Sequence, residues 1–81
     1  MRDFLRNAIH EACKMYEIGN KGTSRNGFIL KIHPETTYIL RETPEFWIDF
    51  NTENLEKHWT NCLIEEDPSI VIGHFTLKIK N

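Results

Sequence analysis

The chain has 81 residues, 40% of them apolar and nine aromatic by count, with a formal net charge of −2. Such a length supports one hydrophobic core and so a single domain over residues 1–81. Two cysteines are too few for a disulfide scaffold, charges run through the first fourteen residues where a secretory leader would be apolar, and no apolar run reaches membrane-spanning length. These features predict a cytoplasmic protein with reduced thiols.

Asp3 to Ile18 has the pattern of an amphipathic helix. Asp3 suits the N-cap, Leu5, Ile9, Ala12 and Tyr16 form one stripe, and Gly19 can end the helix in a left-handed conformation. The opposite face, with Arg6, His10, Lys14 and Glu17, is polar. The loop Gly19–Gly27 follows, rich in glycine, hydroxyl and basic residues. Its GNKG run resembles in outline the GxxG loop of KH domains, whose amides clamp a nucleic-acid backbone. A flexible connector is the reading that competes, and it is preferred.

Phe28–His33 alternates apolar and polar residues as a half-buried strand does. His33-Pro34-Glu35-Thr36 reads as a turn and Tyr38–Glu42 as the returning strand of a hairpin. Pro44 ends that strand, and Phe46, Ile48 and Phe50 face inward in a third, with Trp47 and Asp49 outward. Residues 52–63 predict a second helix. Asn51 would be its N-cap, Phe50 would staple onto Leu55, and Leu55, Trp59 and Leu63 recur every four residues with Cys62 beside them. Glu65, Glu66 and Asp67 would then oppose the dipole at the helix C-terminus. In the last strand, Ile70–Lys80, the apolar parity changes at Gly73 and predicts a bulge.

The expected fold is therefore α+β, a two-layer sandwich of order α-β-β-β-α-β, its antiparallel sheet carrying both helices on one face. The uncovered face would hold Ile29, Lys31, His33, Ile39, Arg41, Trp47, His74 and Lys78.

Charge is segregated along the chain. Residues 34–69 hold nine acids against two bases, net −7, and the flanks hold eight bases against three acids, net +5. Clustered carboxylates attract basic surfaces and can mimic phosphate. The first expectation is thus a small non-enzymatic binding or inhibitor protein that docks on a basic surface of another protein. Its contacts would be Trp47, Asp49, Glu53, Glu56, Glu65, Glu66 and Asp67, with an exposed aromatic as anchor. In size, acidic balance and lack of a catalytic motif the chain resembles phage-encoded inhibitors, anti-CRISPR proteins among them. That resemblance implies a host-defence protein handling nucleic acid as the target. The alternative is a single-stranded nucleic-acid-binding module in which Trp47 stacks a base while Lys21, Arg25, Lys31, Arg41 and Lys78 contact phosphates.

No catalytic residues and no cofactor are expected. His10 with Cys13 and His58 with Cys62 have helical spacings that would suit zinc if the two helices met, but the preferred reading is two core cysteines and no metal. A bare sheet face also allows a homodimer as well as a monomer.

Overall fold

Leu5, Ile9 and Cys13 recur every four residues, and they are the buried stripe of helix α1, Arg2–Gly19, in the computed structural model, which describes residues 2–80. After a 3₁₀ turn at Arg25–Gly27 come strand β1 (Phe28–Ile32), helix α2 (Pro34–Leu40) and strands β2 (Phe46–Asp49), β3 (Glu56–Trp59), β4 (Cys62–Glu66) and β5 (Phe75–Ile79). The order across the sheet is β2-β3-β4-β1-β5. The α+β class holds, but the sheet is mixed: β1 lies parallel to β4 and antiparallel to β5.

Three expected elements are corrected. The strand at Tyr38–Glu42 is replaced by α2. Pro34 takes a first-turn position where its missing N–H costs nothing, the His33 Nδ1 accepts from the Glu35 amide at 2.9 Å, and Glu35 lies in the first turn. Ile39 and Arg41 consequently leave the sheet, and His33 becomes a helix cap.

The helix over residues 52–63 is replaced by a turn, β3 and the start of β4. Thr60 and Asn61 both have positive φ (46° and 69°), the geometry of the two-residue turn that closes a β-hairpin, and Trp59 pairs directly with Cys62. Trp59 is buried while Leu63, of opposite parity, is on the other side of the sheet. Phe50 and Leu55 are exposed, so no staple forms, and the Asn51 amide donates to Asp49 Oδ1 at 2.9 Å. Glu65 and Glu66 belong to a strand and meet no helix dipole.

The final strand begins only at Phe75. Gly73 does adopt a positive φ, 86°, but in the turn before β5, where its amide donates to the Thr36 hydroxyl at 3.0 Å.

One cluster holds the molecule together. Leu5, Ile9 and Cys13 of α1 and Leu40 of α2 pack with Phe28, Leu30, Ile32, Trp59, Cys62, Ile64 and Leu77. Burying each of the larger side chains contributes about 1.5–3 kcal/mol before chain entropy is counted. Trp59 is also anchored by hydrogen bonds: its indole N–H donates to Thr43 Oγ1 at 2.7 Å, and that hydroxyl donates to the Leu40 carbonyl at 2.6 Å. The sulfurs of Cys13 and Cys62 lie 3.8 Å apart and both residues are buried free cysteines. The neighbouring Cys13 sulfur holds the Cys62 thiol well above its ordinary range, and burial pushes the same way. Among the described residues no helix is long and apolar enough to cross a membrane.

Candidate functional site

Strand alternation divides the sheet into two faces, one of which supplies the core. The other is read off the strand registers. Trp47 pairs with His58, His58 with Leu63, Leu63 with Ile29, and Ile29 with Lys78, so one row crosses all five strands from an aromatic through apolar residues to a base. A second row carries charge: Asp49 opposite Glu56 at one side, and Lys31 between Glu65 and Thr76 at the other. Trp47 and His58 stack with ring centroids 4.1 Å apart and planes 6° from parallel. Asn61 Oδ1 accepts from the Trp47 indole at 3.2 Å and so holds its outer end.

The turn joining β2 to β3 fixes the acidic end. Thr52 Oγ1 donates to the Asp49 carbonyl at 3.0 Å and accepts from the Glu56 amide at 2.9 Å, one hydroxyl bridging both strand ends. The two carboxylates it holds opposite each other are like charges on facing positions, an arrangement that opposes strand pairing.

The charges on this face are unequally compensated. Lys31 Nζ lies 3.8 Å from Glu65 and 3.4 Å from Asp67, and Lys78 Nζ lies 3.4 Å from Glu65. Asp67 is held below the usual carboxylate range by the Ser69 hydroxyl and amide, with Lys31 assisting. Among the described residues, neither Asp49 nor Glu56 has an ion-pair partner.

The structure thus brings Trp47, Asp49, Glu56 and Glu65 onto one face, with Lys31 and Lys78 among them. Glu53 is exposed in the adjoining turn. Glu66 has the opposite parity and pairs with Lys57 at 3.5 Å, and Asp67 follows the end of β4. Lys21 is exposed in the Gly19–Gly27 loop. Arg25 is half-buried, donating to Glu17 at 3.0 Å and to Thr60 at 2.5 Å and bonding His10 Nδ1 at 2.8 Å, and it lines a surface cavity with Trp47, His58, Asn61 and Lys80. Arg41 lies over the rings of Tyr38 and Phe46, away from this face. The two His/Cys pairs do not assemble into one ligand set. His58 lies on the second face while Cys62 is in the core, and His10 packs on Trp59 at 5.1 Å.

His58 is the site residue that sequence reasoning missed, because the helical spacing aimed it toward Cys62. The Thr60-Asn61 dipeptide two residues later is the signal that reverses it, since turn residues there make residues 56–59 a strand and set His58 beside Trp47. No family model, no curated protein and no solved structure matches this chain.

Proposed function

We propose that the protein is a non-enzymatic binding module that docks a basic surface of another protein on the face carrying Trp47, Asp49, Glu56 and Glu65. The observation that carries this reading is the inequality of charge on that face. Lys31 and Lys78 are neutralised by Glu65 and Asp67, while Asp49 and Glu56 present uncompensated negative charge on one side of an exposed tryptophan, and on its other side Lys80 is exposed with no ion pair among the described residues. A partner's arginine or lysine beside Asp49 and Glu56, with an apolar group on Trp47, satisfies both features. Glu53 in the adjoining turn extends the acidic end.

The reading also takes the finer view of the fold, a two-layer arrangement in which both helices cover one face and leave the second bare. Support for it comes from the single cluster that joins α1 and α2 to one strand parity. Inhibition of a host-defence protein, in the manner of small phage-encoded inhibitors, is the biological role this docking would suit. A single-stranded nucleic acid fits the same face less well. Trp47 can stack a base, but Lys31 and Lys78 are paired and Arg25 is engaged by Glu17, which among the described residues leaves Lys80 as the free base beside Trp47.

The test is affinity capture from the lysate of the cells in which the protein acts. A stoichiometric partner should be held by the wild type and by Glu35→Lys, which lies on α2, and lost with Trp47→Ala and with Asp49→Lys/Glu56→Lys. Capture indifferent to both face variants, or retardation of single-stranded DNA or RNA at low salt, would sink the reading.

A further inference from the structure

We infer that Asp49, Glu56 and His58 form a binding site for a divalent transition metal, with Zn²⁺ the best match to the donor set. One ligand atom from each of the three lies within 4.8 Å of the other two, and among the described residues no other group of three histidines, cysteines or acids is so placed. Spacing by itself is weak grounds, since acids cluster on surfaces without any ion. The second observation is the state of His58. Both its ring nitrogens are shut off from solvent and neither has a hydrogen-bond partner. The ring as a whole is only half-buried, but nitrogens that are closed off and unpaired carry a desolvation cost, and a metal on one of them would offset it. The third is the opposition of Asp49 to Glu56, two carboxylates facing across a strand pair with, among the described residues, no basic side chain in ion-pair reach of either.

The donor chemistry selects the ion. One imidazole and two carboxylates form a borderline N,O,O set, suited to Zn²⁺ and below it to Mn²⁺, whereas Mg²⁺ and Ca²⁺ prefer oxygen alone. Bonds of about 2.0–2.2 Å in a tetrahedron put ligand atoms roughly 3.4 Å apart. Binding would require the group, now within 4.8 Å, to close to that spacing by rotation of the two carboxylate side chains, whose strand ends Thr52 ties together. Trp47 covers one face of the imidazole; a tetrahedral ion held by the three side chains would take its fourth ligand from water or from a partner's side chain. The site does not require the docking partner, and a metal there would compete with a basic side chain for the same two carboxylates.

The experiment is calorimetric titration of ZnCl₂ into chelator-stripped protein, with circular dichroism to verify that each variant folds. One Zn²⁺ per chain is expected, with affinity falling at least about tenfold in Asp49→Asn, Glu56→Gln and His58→Asn, and unchanged in His74→Asn. Asp49→Asn and Glu56→Gln preserve shape, so they decide the matter even if His58→Asn fails to fold. No saturable uptake, affinity unchanged in both carboxamide variants, or a thiolate charge-transfer band in the Co²⁺ spectrum, which would put the metal on Cys13 and Cys62, each overturns the site. Because the titration uses the isolated chain, its failure leaves the docking surface to be judged by capture alone.

Discussion

Thr43 is a small residue with a large structural share, because its hydroxyl is the acceptor for the Trp59 indole and the donor to the Leu40 carbonyl in a buried chain of hydrogen bonds. Thr43→Val keeps the shape and strands the indole N–H, which should cost about 1–3 kcal/mol. Thermal unfolding should show a fall of about 4 °C or more. Thr43→Ser keeps the hydroxyl and should lose much less; equal losses in the two variants would show that the methyl group, not the hydrogen bond, matters. Glu45 is a second such residue. The Arg6 guanidinium, 2.6 Å away, holds its carboxyl below the usual glutamate range, with His10 in support and partial burial working against them. Its folded pKa is thus lower than its unfolded one. The stability it adds is complete at neutral pH, fades as pH falls through the ordinary glutamate range, and is gone below the folded pKa. Urea midpoints measured from pH 6 to pH 3 should therefore decline less steeply for Glu45→Gln than for the wild type; parallel declines would exclude this pair from the acid response.

At the level of elements, local pattern was enough where one periodicity was present alone. The stripe of α1, the alternation of β1 and the outward parity of Trp47 and Asp49 in β2 are all readable from residue order. Two segments carried conflicting signals. Around Pro34, a turn and a helix start share the same residues, and what decides between them is the His33 side chain closing the first turn. Between Asn51 and Leu63, the interval of four that suggests a helix is a coincidence of three apolar residues with separate tasks: Leu55 in a turn, Trp59 in the core, Leu63 on the second face. Leu55 pays for its position with a φ of 49°, in the left-handed region that costs a branched side chain about 1–2 kcal/mol. Glycine avoids that cost but loses about 0.5–1 kcal/mol to chain entropy. Because Leu55 is half exposed, Leu55→Gly should stabilise the protein by about 0–1.5 kcal/mol, read as a higher urea midpoint. A lower midpoint would mean that its remaining packing outweighs the strain.

For the molecule as a whole, the α+β class followed from the elements, but the sheet order did not. β1 meets β4 and β5 only after about thirty or more intervening residues, and no local residue pattern encodes which distant strand lies beside which. The same folding redistributes charge. Lysines from the basic flanks, Lys31 and Lys78, come to rest beside Glu65 and Asp67 from the acidic middle, so much of the segregation along the chain is cancelled on the sheet, while the Asp49–Glu56 end and Lys80 keep their signs. The candidate site was readable in part for this reason: its acids and its tryptophan could be named from the sequence, but which acids remain uncompensated depends on the register. That register has a mechanical side. Phe28, where the chain enters β1, is paired with Ile79, at the far end of β5. Tension between those two residues pulls on one end of an antiparallel ladder, so its hydrogen bonds part in sequence and never share the load. β5 peels away like a zip, and the core it covers is opened from that edge with little resistance to pulling.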